Sequence, residues 1–331
     1  MKKNFLKILL IFIIFVISIA CWKKEDTIKV VFLPNESNES LKNSRDELAK
    51  IIEGATNKKV EIITTTDYNI AIENIISGKA QIAYIGAEAV LSASERNANV
   101  QAVLTNAGES GTREDALYYS FLAVRSEDAE QYKTNGEFDL KKIKGKSIAF
   151  VTNTSTSGFI IPARSIVKEF GLKDTDEVLE EGKLFSKIIF GNSHPGTQVN
   201  LFRKDAEVAT FAIPKSFSIY ELVSGEENKA GSTYKVKVEA VAPFSDHVGK
   251  SFTVIKSIPV LNGAITFNIK TLSKKDQDKI KEKLLSKETT DNPLIFGEKE
   301  SKIRGLFAKQ NKEVGFVEVD NKWYEQIKDA K

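Results

Sequence analysis

The sequence predicts an α/β chain of two lobes joined by two crossing segments, with a cleft between them. Three observations carry that reading. Short apolar runs alternate with helix-period segments from Ile28 onward, the alternation restarts after YYSFLAVRS, and residues 21–331 suffice for two ordinary domains of roughly 100–200 residues each.

The first element is a leader. Lys2, Lys3 and Lys7 precede the apolar run ILLIFIIFVISIA, which stops at Cys21. The run is short of the roughly 20 apolar residues of a spanning helix and ends in small residues. Residues 1–20 therefore read as a secretion signal and 21–27 as an anchor linker. The tetrapeptide S-I-A-C resembles the lipobox of bacterial lipoproteins, with Ser18 where that motif usually has Leu. The resemblance implies acylation of Cys21 and attachment to a membrane; an uncleaved anchor and a cleaved signal with a free thiol are the alternatives. Cys21 is the single cysteine, so no disulfide or thiolate metal site forms within the monomer. The three leader lysines account for the whole formal charge of +3, and the remaining neutral chain has no field that favours nucleic acid.

In the first lobe IKVVFLP reads as a strand. Leu41, Leu48, Ile51, Ile52 and Ala55 then share one helical face, closed by Gly54. VEIITTT is the next strand, Asp67 caps the helix YNIAIENIIS, Gly78 ends it, and the strand QIAYIG leads into the helix AEAVLSASER. This order predicts a mainly parallel sheet covered on both faces. The second lobe repeats it with the strand KSIAFV, the turn NTSTSGF, a helix through Val167, the strand KIIF, the turn GNSHPG, a helix near 196–204 and the strands EVATFA and VKVEAVAPF. YYSFLAV and GAITFN read as the crossing segments, and LSKKDQDKIKEKLLS as an amphipathic helix capped by Ser273 that returns to the first lobe. The boundaries are 28–122 with 264–331 for lobe one and 123–263 for lobe two.

NTSTSGF lies between a strand and a helix. Its backbone N–H groups are orphan donors at a helix start, where the dipole favours an anion. Ser155, Thr156 and Ser157 add hydroxyls beyond what a cap requires, and Gly158 lets the chain turn tightly. His194 sits in a second strand-to-helix turn, with Ser193 as its cap and Pro195 in the first helical turn. Tyr68 opens a helix and Tyr118 lies in the first crossing segment; as bare residues both are core or rim aromatics. Two histidines without cysteine or spaced carboxylates make no metal site, and no nucleophile–base–orienting group is visible. No enzyme activity and no cofactor are expected.

TDYNIAIENIISGKAQIAYIG, YYSFLAVRSE, LKKIKGKSIAFVTNTSTSGFIIP, GNSHPGTQ, GAITFN and GFVEVDNKWYEQIKDA together resemble the phosphate/phosphonate/phosphite-type solute-binding proteins of ABC importers, in family order across nearly the whole chain after the leader. The resemblance implies a type II periplasmic-binding fold. It also implies an extracytoplasmic receptor, expected as a monomer, that delivers a phosphorus oxyanion to a membrane permease. Ser155, Thr156 and Ser157 would grip the oxyanion, His194 would donate a ring N–H, and Tyr68 and Tyr118 or Tyr119 would face it from lobe one, with Asn35, Glu36 and Ser37 nearby. Relatives that take aminoalkyl phosphonates place carboxylates in the segments equivalent to FAIPKSF and SIPVLNGAITF, and neither segment has an acid here. Phe211, Ile213, Pro214 and Asn262 would leave that end of the cleft neutral, so they are the selectivity candidates. Thiamine or a thiamine phosphate, stacked on Phe211, Phe217 or Tyr84, is an alternative ligand; a sensory or adhesive surface lipoprotein is an alternative role.

Overall fold

The computed structural model describes residues 27–35, 39–213, 219–298 and 303–329. The leader, Cys21, Glu36, Ser37, Pro214 and Phe217 lie outside the described residues.

The first α/β unit runs β1 (Ile28–Phe32), α1 (Lys42–Thr56), β2 (Val60–Thr64), α2 (Tyr68–Ile76), β3 (Ile82–Ile85), α3 (Ala87–Arg96) and β4 (Val100–Asn106). β1 is apolar except for Lys29 because both its faces are buried: Val31 joins one core cluster, and Ile28, Val30 and Phe32 join another. α1 does not close at Gly54. It continues to Thr56, and Asn57, with φ 56°, ends it in the left-handed conformation that asparagine tolerates. Asp67 caps α2 as its position predicts, accepting from the N–H groups of Asn69 and Ile70.

The second unit comprises β5 (Leu117–Arg125), β6 (Ser147–Phe150), α4 (Ile161–Phe170), β7 (Lys187–Phe190), α5 (His194–Phe202), β8 (Val208–Phe211), β9 (Tyr220–Ser224), β10 (Thr233–Val236) and β11 (Ser251–Leu261). The segment VKVEAVAPF is strand only as far as Val236; the turn closed by Ala240 N–H on Lys237 O and the cis Ala242–Pro243 bond follow it. The chain then returns to the first sheet as β12 (Ala264–Asn268), α6 (Lys274–Leu284) and β13 (Phe316–Glu318), and ends in the short helices α7 (Asn321–Tyr324) and α8 (Gln326–Asp329). Ser273 caps α6 through the N–H of Asp276, and Ile280 and Leu284 bury its apolar stripe in the first-sheet core.

The strands form two principal sheets, ordered β13-β4-β12-β3-β1-β2 and β9-β10-β11-β5-β8-β6-β7. Each is parallel over only three strands, β2-β1-β3 in the first and β8-β6-β7 in the second. GAITFN does not cross between sheets: as β12 it lies antiparallel between β3 and β4. The long partner of YYSFLAV is β11, paired with it from Leu117 opposite Leu261 to Arg125 opposite Phe252.

The chain passes between the sheets at residues 107–116 and at Asn262–Gly263. The second passage is tied down on every side. Asn262 N–H donates to Ala116 O at 2.9 Å and its Nδ2 to Asn106 O at 3.0 Å. Thr105 Oγ1 donates to Gly263 O at 2.8 Å, and Tyr324 OH donates to Asn262 O at 3.1 Å. Tyr324 is fully buried, and burial pushes its phenol pKa far up, so it remains a donor. Tyr324→Phe leaves a buried carbonyl without its partner. Urea denaturation is expected to show a loss of about 1–3 kcal/mol, and an unchanged midpoint would show that the hydroxyl does not hold the passage.

Candidate ligand-binding site

A cavity of about 150 Å³ lies between the two sheets. Its wall brings together Tyr68, Tyr118, Ser155, Thr156, Ser157, His194 and Asn262, with no charged side chain among the described lining residues.

The turn after β6 takes its shape from a missing donor. Pro162 has no N–H to offer Gly158 O, which accepts instead from Val151 N–H at 3.1 Å and Thr210 Oγ1 at 2.6 Å. Thr156–Ile160 accordingly winds as a single π turn, with Ile160 N–H on Ser155 O, before α4 begins at Ile161. Ser120 Oγ pins the carbonyl of Ser157 at 2.6 Å. The loop carbonyls thus point into protein. The N–H groups of Thr156 and Ser157 have no hydrogen-bond partner among the described residues and are orphan donors of the first turn.

Each of the three hydroxyls already accepts an N–H. Ser155 Oγ accepts from Gly158 at 3.1 Å, Thr156 Oγ1 from Glu88 at 3.0 Å, and Ser157 Oγ lies 3.4 Å from His194 Nε2. All three side chains are buried and line the cavity. An oxygen that accepts an N–H keeps its one hydrogen to give. Each of the three O–H groups is thus left with its hydrogen to donate into the cavity they line.

His194 opens α5 behind its cap Ser193, which accepts from Gly196 N–H. Ala212 N–H donates to His194 Nδ1 at 3.0 Å, so the proton of the neutral ring resides on Nε2, the atom nearest Ser157. Burial pushes the imidazole down to about 4, and a second proton would bring two N–H groups face to face. His194 is a neutral donor in this site. From the first sheet's side, Asn35 Oδ1 accepts His194 N–H at 3.1 Å, and Asn35 Nδ2 donates to Tyr68 OH.

Strand alternation sorts the remaining candidates. On β5 Tyr118 lines the cavity, while Tyr119 turns to the opposite face and packs against the second-sheet core. On β8 Phe211 faces inward. It is fully buried, edge-on to Phe252 at 5.0 Å, and does not line the cavity; Ala212 and Ile213 occupy that edge instead. The proposed selectivity role of Phe211 is therefore withdrawn. Asn262 reaches the wall, but its Nδ2 is engaged by Asn106 O, so it acts there chiefly as a tie of the passage.

Sequence reasoning missed Gly86, Asn106, Phe307 and Gln310 on the wall. Phe307 stands edge-on to Tyr84 with centroids 4.9 Å apart, which engages the one described aromatic that reaches the cavity among the three considered for stacking. No local signal marks these positions, since each reaches the wall from a segment with no donor cluster of its own.

Two α/β units around an uncharged, donor-lined cavity define a solute-binding protein. The family model for the phosphonate ABC transporter periplasmic substrate-binding protein matches residues 30–324, and the chain belongs to that family. The family consists of extracytoplasmic transport components and not of enzymes. The phosphate-import protein PhnD of Mycolicibacterium smegmatis is 32% identical over 155 residues, a match spanning 46% of this chain and 45% of that protein. The binding-protein component of a Pseudomonas aeruginosa ABC phosphonate transporter superposes with TM-score 0.63 at 18% identity, covering 92% of this chain and 85% of the other. PhnD1 of Prochlorococcus marinus, solved with methylphosphonate, superposes with TM-score 0.63 at 16% identity, covering 93% and 97%. These two likenesses establish the shared fold.

The His194 environment has a measurable signature. Its pKa is lowered on folding, so the native ring stays neutral while the unfolded ring takes a proton below about 6.5. The stability this burial permits is complete above that pH and declines, by at most about 1.4 kcal/mol per pH unit, as pH falls toward 4. Nitrogen-detected NMR is expected to show a neutral Nε2–H tautomer at pH 5.5; a charged ring or an Nδ1–H tautomer at that pH would overturn the assignment.

Proposed function

We propose that the chain captures a small phosphorus oxyanion, such as phosphate, phosphite or methylphosphonate, and delivers it to an ABC permease while held at the membrane by a lipid on Cys21. The observation that carries the ligand reading is the set of three buried hydroxyls, each already accepting an N–H (that of Ser157 from His194), on a cavity they share with two orphan backbone N–H groups. Hydrogen bonds to an ionised group contribute about 1.5–3 kcal/mol each, and micromolar binding requires about 8 kcal/mol. Four or five such donors supply that without a lysine or arginine.

The same inventory argues for a compact ligand. No described lining residue is acidic, so the cationic tail of an aminoalkyl phosphonate has no partner to offset its desolvation. A thiamine-sized ligand finds little support: the cavity is small, and Phe211 lies in the core.

Calorimetry with phosphate, phosphite, methylphosphonate and 2-aminoethylphosphonate tests the ligand reading. The amine is expected to bind no more tightly than methylphosphonate. Ser155→Ala, Thr156→Val and Ser157→Ala are each expected to weaken the best ligand by about 1.5–3 kcal/mol. A clear preference for the amine, or three variants with wild-type affinity, would refute the proposed grip.

The anchor reading rests on the apolar run that ends in S-I-A-C. Replacing the single cysteine, Cys21→Ser, is expected to abolish acyl labelling and release the protein from the membrane fraction. Unchanged labelling and retention would remove the lipid from the proposal.

A further inference from the structure

We propose that Gly86 is a positioning residue for ligand capture: together with the Glu88 N–H it forms a socket at the start of α3 that receives the Thr156 side chain and joins the two halves of the site. This rests on the ligand reading above only for its affinity readout.

Gly86 has φ −71° and ψ 164°, an extended conformation open to any L-residue, so the backbone does not demand glycine there. Space does. A Cβ built on Gly86 would lie 2.8 Å from Thr156 Oγ1 and 3.6 Å from Thr156 Cβ, and among the described residues these are the sole non-neighbouring atoms within 4 Å of it. Both belong to the other sheet's loop. A methyl at position 86 thus disturbs nothing in its own unit and collides only when the Thr156 loop is seated.

The seated contact is specific. Thr156 Oγ1 accepts the Glu88 N–H at 3.0 Å, one of the orphan donors at the start of α3, whose cap position is occupied by a glycine with no side chain to accept it. Thr156 therefore caps a helix 68 residues earlier in the chain. Once its oxygen accepts that N–H, its hydrogen is directed to a ligand, and a hydrogen bond to an anion makes the same oxygen a better acceptor. One hydroxyl thus couples occupancy of the cavity to contact between the halves. Beside it, Arg164 of α4 reaches Glu88 at 3.4 Å and Ile327 O at 3.1 Å, so the contact continues along the rim.

The test uses the full mature chain and four proteins: wild type, Gly86→Ala, Thr156→Ala and the double variant. With inorganic phosphate and methylphosphonate as probes, Gly86→Ala is expected to weaken binding about tenfold or more, the penalty of one overpacked methyl. Because the contact it breaks caps α3, a modest fall in the ligand-free melting temperature is expected as well. In the Thr156→Ala background the added methyl is expected to have little further effect, because the atom it meets is gone. Wild-type affinity for Gly86→Ala, or full additivity in the double variant, would overturn the socket. Hydrogen exchange of the Glu88 amide reads the socket without any ligand. Protection present in wild type and lost in Gly86→Ala supports it, and equal exchange in both overturns it. If wild type binds neither probe, the ligand reading fails, while the amide still decides the socket.

Discussion

A hydroxyl oxygen that accepts one hydrogen bond has a single hydrogen left to direct, and this constraint organises the cavity. Ser155, Thr156 and Ser157 each face an N–H, from their own turn, from α3 and from His194 respectively. Three groups that in water would rotate among many partners are thereby oriented before a ligand arrives. Orientation of this kind lowers the ordering cost of binding, the term that most often separates a weak polar site from a tight one. It also explains the neutrality of the pocket. A lysine or arginine would attract an anion more strongly at long range, but its own desolvation would have to be offset whenever the cleft closed.

The rest of the fold serves to bring those N–H groups into place. Pro162 removes the donor that would have continued α4 backward, so the turn widens and its first amides stay available. Ala212 N–H holds His194 as the Nε2–H tautomer. The passage at Asn262–Gly263 is fastened by four hydrogen bonds from three different segments, while beside the cavity the units are joined by the Thr156 hydroxyl, the Asn35 amide and Arg164 on Glu88 and Ile327 O. A firmly tied passage beside a few polar contacts across the cleft is the arrangement expected of two packed units that move about a short connection.

The starts of several helices were legible in the sequence because an N-cap is a hydrogen bond across two or three residues, whereas the end of α1 was placed at Gly54 and lies at Asn57. Asp67, Ser155, Ser193 and Ser273 each accept from an amide close in the chain, and the residue types announce it. The run of hydroxyls and the turn histidine were likewise visible as local excess, which is how the candidate site was found. The strands of the parallel core were visible as apolar runs, whereas β11, with its alternating polar residues, was missed and its role assigned to GAITFN. Where apolar segments are equally strand-like, their order in the sheet depends on partners far away, and the pattern of a single segment does not contain that.

The sequence by itself determined the two α/β units, the caps, the turn that presents Ser155–Ser157 and the absence of acids in FAIPKSF and SIPVLNG. Tertiary structure decided which side of each strand meets the cavity, turning Tyr118 toward it and Phe211 away into an aromatic core. It also decided what each hydroxyl accepts: Thr156 finds its amide 68 residues earlier, and His194 receives its tautomer from Ala212. The physical reason is range. Turns and caps form between neighbours and are written in residue type, whereas the direction of a donor depends on an acceptor or amide that only the folded chain brings within hydrogen-bonding distance.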